Sequence, residues 1–293
     1  IWVLYEADEG YDISGLNPFD MLPTGMKAKL IAIPTTSGTG AEVTGAVVLT
    51  DTETSLKLEL LSRFAIPTIA IVDPVFVDNM PKKLTASTAF DAIGHCMEGI
   101  TSTWGNVYTD GLTAQALKML FKNLSKAYHD SDPDAREAMH VGASIAGLAF
   151  GNAQAQLGHA FAHQIGAIFH VPHGFGVGLV LPYFMELMIN NDPKAVKIFS
   201  ELAMTIGVAD WSDDDKTAGN KLIEKVRELQ DEVDFPTKLS DLGITKEKLD
   251  ENEQKFRDLI VQAGTFTMSN VSINTDTAWK MMQYMLEGKS IDF

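Results

Sequence analysis

The sequence predicts a short α/β portion followed by an all-helical domain, and three observations carry that expectation. Every short apolar run of strand type lies before residue 75, and from Leu84 onward apolar residues recur at helical spacing almost without interruption. No internal repeat, low-complexity segment or flexible spacer separates the two regimes. Residues 1–80 therefore read as the later part of an α/β domain whose beginning is absent, and residues 81–293 as a helical domain.

Taken in order, residues 1–7 read as the end of a helix and the Gly-, Pro- and Asp-containing stretch from Gly10 to Gly25 as a loop. KAKLIAIP, 27–34, has the apolar run of a buried strand and ends at the turn IPTTSGTGAEVT. AVVLT, 46–50, and a segment around Leu56 to Leu60 flank the polar DTET and predict a hairpin, while TIAIVDP, 68–74, predicts another buried strand. Helices are predicted over 84–101, 109–128, 133–169, 174–190, 193–206, 214–232, 245–262 and 275–287. Asp132-Pro133, Asn191-Asp192-Pro193 and the run from Asp210 to Asp215 supply helix-start chemistry at the joints. Gly and Ala density from Ala143 to Ala167 predicts a closely packed central helix.

Composition narrows the function classes. With 293 residues and 45% hydrophobic content the chain can bury a substantial core. Lys and Arg total 23 against 39 Asp and Glu, a net charge of −16 without a basic cluster, which argues against nucleic acid or an anionic membrane as partner. The single cysteine, Cys96, cannot form an intramolecular disulfide and is expected in the core. IWVLYEADEG lacks the basic region and long apolar core of a signal peptide, so a cytoplasmic protein is expected. The chain begins with Ile inside an apolar run, as a piece cut from something longer would.

Chemistry concentrates in GHAFAHQIGAIFHVPHG, 158–174, which holds four of the seven histidines. His159 and His163 stand at i and i+4 and share one helix face, and a chain reversal at Pro172 would return His173 beside His159. Upstream, in TASTAFDAIGHCMEG, Asp91 and His95 stand at the same spacing. One carboxylate and several imidazoles suit a divalent transition metal. The competing reading makes each histidine a hydrogen-bonded core residue.

These segments resemble the iron-containing (group III) alcohol dehydrogenase family. IPTTSGTGAEVT is similar to its cofactor-side loop, AIVDPVFVDNMPKKLTASTAFDAIGHCMEG to its first metal helix, GHAFAHQIGAIFHVPHG to its second metal segment and FPTKLSDLGI to part of its helical domain. The resemblance implies the dehydroquinate synthase-like fold, with residues 1–80 as the later part of a dinucleotide-binding domain. It further implies metal ligands at Asp91, His95, His159 and His173, binding Fe2+ or Zn2+. His163 would sit by substrate and nicotinamide as the proton-handling catalytic residue. Thr35, Thr36, Thr39 and Lys57 would face NAD or NADP. The implied activity is interconversion of a primary alcohol and an aldehyde by a homodimer. His170 is expected to line a loop or pocket, and His129 and His140 to be surface or core residues. The family's GGGS phosphate loop is not found, so this chain alone is expected to bind metal, turn over little aldehyde and associate through its uncovered sheet.

Two other readings compete. A dehydroquinate synthase-like lyase shares metal and nicotinamide but handles a phosphorylated, carboxylated substrate. No Lys or Arg lies between Thr85 and Gly111 or between Ala138 and Asn190, which favours a small neutral substrate. A non-catalytic helical domain with a structural metal would instead show a closed site.

Overall fold

The computed structural model describes residues 1–13, 27–50 and 57–293. A short helix, α1 (Trp2–Glu6), precedes four strands: β1 (Ile31–Ala32), β2 (Ala46–Thr50), β3 (Lys57–Leu61) and β4 (Ile69–Ala70). β1 and β4 pair in parallel, Ile31 opposite Ile69, and β2 and β3 pair antiparallel, Ala46 opposite Leu61 and Thr50 opposite Lys57. Both strand pairs fall where the apolar runs predict them, but β1 and β4 are not the buried strands expected: Ile31 and Ile69 are about half exposed, since among the described residues these two strands pair only with each other. Most of the Gly10 to Gly25 stretch and the DTET turn lie outside the described residues.

Helices follow as α2 (Lys82–Thr101), α3 (Val107–His129), α4 (Pro133–Gly151), α5 (Leu157–Phe169), α6 (His173–Asn191), α7 (Pro193–Ile206) and α8 (Asp215–Glu232). Four more follow: α9 (Lys246–Glu251), α10 (Glu253–Ile260), α11 (Gly264–Thr267) and α12 (Thr275–Glu287). The acidic joints behave as their chemistry requires. Asp132, Asp192 and Asp214 each accept a backbone N–H of the helix they precede, at 2.8, 2.9 and 3.0–3.1 Å.

The predicted helix 133–169 is two helices. Gly151 and Asn152 end α4, and the chain is then held by Glu98, whose Oε2 accepts Gln156 N at 2.5 Å and His159 N at 3.2 Å. A carboxylate on the first N–H groups of α5 is favourable in charge and in hydrogen bonding, and helical periodicity gives no sign of it. The predicted helix 245–262 likewise divides at Asn252 into α9 and α10.

The central helix is α2 and not the Gly- and Ala-rich stretch from Ala143 to Ala167, which divides between α4 and α5 and packs around it; α2 is buried almost continuously from Thr85 to Thr101 and packed by α3, α4, α5 and α6. Close approach is what its small residues permit. A Cβ on Gly178 of α6 would lie 2.7 Å from Phe90 Cβ, and one on Gly94 would lie 2.5 Å from Val177. Among the described residues, contacts that fasten the strand portion to this bundle include a buried arginine and a seated turn. Arg136 of α4 donates to Val77 O at 2.6 Å and Met80 O at 3.0 Å in the connecting segment. The Gly-rich turn seats on α4 through Gly40, at φ +59°, where an added Cβ would stand 2.5 Å from Gly147 Cα. Among the described residues no helix is long and apolar enough to cross a membrane.

Candidate metal centre

Two helix turns and one chain reversal bring four side chains to one point. α2 stacks Asp91 beneath His95, and α5 presents His159 across from them. His170 adopts the left-handed conformation, φ 59°, and ends α5; Pro172 then starts α6 with His173 as its first residue, pointing back at Asp91. Around Asp91 Oδ1 the Nε2 atoms of His173, His159 and His95 stand at 3.2, 3.6 and 3.9 Å. The rings of His95 and His159 stack at 4.8 Å between centroids, and His159 and His173 tilt together at 5.4 Å.

This cluster holds buried polar atoms that no neighbouring protein atom pairs. Asp91 Oδ1 and His159 Nε2 are both buried without a hydrogen-bond partner. Such atoms cost roughly 1–3 kcal/mol each when left alone, and a cation among them removes that cost. Asp91, His95 and His159 each offer a ligand atom within 4.8 Å of the others. A carboxylate with imidazole nitrogens is a donor set suited to zinc or ferrous iron. Asp91 is 2% exposed and His173 39%, so the cluster is closed on the helix side and open at His173.

Charge around the cluster is arranged for a cation. Burial raises the Asp91 carboxyl, but the surrounding imidazoles, His95 first, outweigh this and hold it well below the usual carboxylate range. Burial pushes His95 down to about 4. Burial also opposes a charge on His159, yet Glu98 and Asp91 together raise it to about 10. Glu98 Oε1 accepts from His159 Nδ1 at 2.6 Å, which directs Nε2 toward Asp91.

The cluster forms the floor of a cavity of about 590 Å³. The strand pair also lines it, through Ala46 and Val48 of β2 and Lys57, Glu59, Leu60 and Leu61 of β3. Thr39 of the Gly-rich turn and His163 of α5 also line it. Lys57 Nζ donates to Thr50 Oγ1 at 2.8 Å across the strand pair. Thr35, exposed, and Thr36, half-buried, belong to the same turn but are not among the lining residues. His163 Nδ1 meets Glu59 Oε1 at 2.5 Å, and Glu59 also receives Thr265 N at 3.0 Å and Thr265 Oγ1 at 3.2 Å. Burial, the larger influence on His163, pushes it down against the raising effect of Glu59.

The remaining histidines stand apart. His170 is exposed, His129 pairs with Glu232 O at 2.7 Å, and buried His140 pairs with Ser37 Oγ at 3.2 Å. Cys96 is fully buried, its thiol pushed up by burial. Sequence reasoning missed Glu98, Glu59 and Phe150, the last stacked on His95 at 4.1 Å. Glu98 lies one turn beyond His95, so its helical spacing was a usable signal.

Comparison with known proteins gives the following. The family model "Iron-containing alcohol dehydrogenase" matches residues 1–74, and "Fe-containing alcohol dehydrogenase family, C-terminal" matches residues 85–277. The NADPH-dependent butanol dehydrogenase of Clostridium saccharobutylicum is 35% identical across 100% of this chain and 74% of its own length. Aldehyde-alcohol dehydrogenase 2 of Entamoeba histolytica is 44% identical across 71% of this chain, which spans only 26% of that protein. The iron-containing alcohol dehydrogenase of Thermococcus thioreducens superposes with a TM-score of 0.86 at 27% identity, covering 98% of this chain and 73% of that one.

Proposed function

The chain belongs to the iron-containing alcohol dehydrogenase family, and on that premise we propose that it works as a metal-dependent dehydrogenase interconverting a primary alcohol and an aldehyde with NAD or NADP. The observation that carries this is three imidazole Nε2 atoms within 3.9 Å of one buried carboxylate oxygen, at the floor of a cavity.

Asp91, His95, His159 and His173 would hold the cation, Fe2+ or Zn2+. When bound, the cation supplies Lewis-acid polarisation of the substrate oxygen, and the nicotinamide supplies the acceptor or donor of hydride. The protein does the rest by placement. Glu98 fixes His159 with Nε2 toward the cluster. His163 lines the cavity with Nδ1 already engaged, which leaves Nε2 to take the hydroxyl proton of an alcohol and pass it toward solvent. Thr39 and Lys57, on the hairpin side, would meet the cofactor, with Thr35 and Thr36 along the same turn. In this reading residues 1–80 form the cofactor side and residues 81–293 the metal side.

The small neutral substrate follows from the lining. Asp91 and Glu59 are its carboxylates and Lys57 its one cation among the described residues, so a phosphorylated or carboxylated substrate would lack a partner beside the metal residues. A cytoplasmic homodimer completes the reading, and light scattering on the eluting species tests the dimer. For the activity, metal analysis of anaerobically purified protein is combined with a panel of primary alcohols and both cofactors. About one metal per chain is expected of this chain, and metal-dependent reduction of nicotinamide of a longer chain that also carries a phosphate loop. A metal-free protein that takes up no iron or zinc would overturn the proposal.

A further inference from the structure

We infer that Glu59 is a positioning residue for the reaction proposed above, on which this inference rests: it fixes the tautomer of His163 so that Nε2 stays a proton acceptor facing the cavity.

The argument is a count of donors. Three point at the Glu59 carboxylate: the ring at His163 Nδ1, 2.5 Å from Oε1, the hydroxyl of Thr265, 3.2 Å from Oε1, and the backbone N–H of Thr265, 3.0 Å from Oε2. An ionised carboxylate has acceptor sites for all three and nothing to donate. His163 must therefore place its proton on Nδ1, and a neutral imidazole then carries a bare Nε2. The same device operates one helix turn earlier, where Glu98 takes His159 Nδ1 at 2.6 Å and turns Nε2 toward Asp91. α5 thus carries two carboxylate-held histidines in succession, one aimed at the metal cluster and the next at the cavity.

The two carboxylates reach α5 from different places. Glu98 belongs to α2, on the metal side, whereas Glu59 belongs to β3, on the hairpin that carries Lys57 two residues earlier on the same face. Glu59 therefore ties the orientation of His163 to the wall assigned to the cofactor. Its bond to Thr265 of α11 fixes the carboxylate from a third element, leaving it 12% exposed.

Glu59→Gln tests this because an amide cannot satisfy the same donors. Its one oxygen can face Thr265 N–H, which has no alternative form, and its NH2 then faces His163 Nδ1. His163 can respond by moving its proton to Nε2, which removes the acceptor from the cavity. The readouts are the two-bond 1H–15N spectra of zinc-loaded, histidine-labelled protein, with the His163 signals assigned from a His163→Gln spectrum, together with alcohol kinetics. The wild type should show the Nδ1–H form and Glu59→Gln the Nε2–H form. With zinc content unchanged, kcat should fall by about 10²-fold or more, while KM for the alcohol moves less than about threefold. Glu59→Asp, which keeps a carboxylate, should restore the Nδ1–H form and lose less than about tenfold. An unchanged tautomer in Glu59→Gln, unchanged turnover, or zinc loss from that variant would overturn the inference. Wild-type protein that oxidises no alcohol would defeat the dehydrogenase reading alone, since the tautomer spectra still decide what Glu59 does.

Discussion

Glu98 Oε1 lies 2.6 Å from His159 Nδ1 while its Oε2 accepts the backbone N–H groups of Gln156 and His159, so one buried carboxylate both caps α5 and aims the histidine that α5 carries. The metal cluster and the break between α4 and α5 are for that reason one feature. A cap without the second function would need only one oxygen.

Replacing Glu98 by Gln should therefore lower metal affinity by about 10- to 100-fold, the range typical of partners that orient a metal-binding histidine. The amide still accepts one backbone N–H, so the fold should persist. Competition with a chelator measures the affinity, and an affinity equal to that of the wild type would show that Glu98 serves the helix alone.

His159 and His163 share one face of α5 but differ in what they meet: His159 Nε2 lies 3.6 Å from Asp91 Oδ1, whereas His163 is held by Glu59. His159→Ala should remove metal and activity together. His163→Ala should keep the metal and lower turnover by about 10²- to 10⁴-fold. Metal content beside kinetics separates the two, and a metal-free His163→Ala protein would make His163 a ligand.

What was legible in the sequence follows from what helical spacing can encode. Asp91 with His95, and His159 with His163, were readable because four residues of helix return a side chain to the same face. His173 was readable from the proline before it. The end of α4 was not, because the hydrogen bonds from Glu98 that hold the chain at Gln156 come from 58 residues away. Glu59 was hidden for the same reason: it reaches His163 across 104 residues from strand β3, and no local pattern connects them. The Gly-rich turn was read as similar to a cofactor-side loop. Its glycines also serve docking, since a Cβ on Gly38 would meet Thr88 Cβ at 2.6 Å.

His140 supplies a pH dependence outside the metal cluster. Burial pushes its pKa below the ordinary 6.5, and the carboxylates of Glu42 and Asp73 only partly offset this. As pH falls through 6.5 the unfolded chain takes up a proton that the folded chain resists, so stability is lost on the acid side and is level above it. His140→Gln has no such group. The stability gap between wild type and His140→Gln should shift against the wild type between neutral and mildly acid pH in urea titrations. A gap constant with pH would mean His140 is not held neutral by the fold.

Arg136 is buried beside the segment joining the two portions, donating to Val77 O and Met80 O, and to Ser131 Oγ at 3.0 Å. Arg136→Leu fits the volume but leaves two carbonyls without donors. The expected loss is about 2–4 kcal/mol of unfolding free energy, from roughly 1–3 kcal/mol for each unpaired buried group with partial rescue by water. Denaturant titration measures it, and a loss under about 0.5 kcal/mol, the level of an ordinary surface substitution, would show that the joint does not depend on this residue.

The seating of the Gly-rich turn separates docking from chemistry. Gly40 holds φ +59°, and its would-be Cβ stands 2.5 Å from Gly147 Cα, 3.1 Å from Gly147 N and 3.3 Å from Ala143 O, all backbone atoms that cannot swing aside. Gly40→Ala must therefore push the turn away from α4 as well as strain the backbone. Thr39, the preceding residue, lines the cavity on the side proposed above for the cofactor, whereas the proposed metal ligands sit on α2, α5 and α6 and share no residue with the turn. Gly40→Ala should raise KM for the nicotinamide by about tenfold or more, corresponding to about 1.4 kcal/mol of lost binding, while metal affinity stays at the wild-type level. Gly207→Ala, at an equally positive φ of +81° but with nothing within 4 Å of its added Cβ, is the control for backbone strain alone. Equal cofactor KM in the two variants would show that the turn's contact with α4 does not position the cofactor wall.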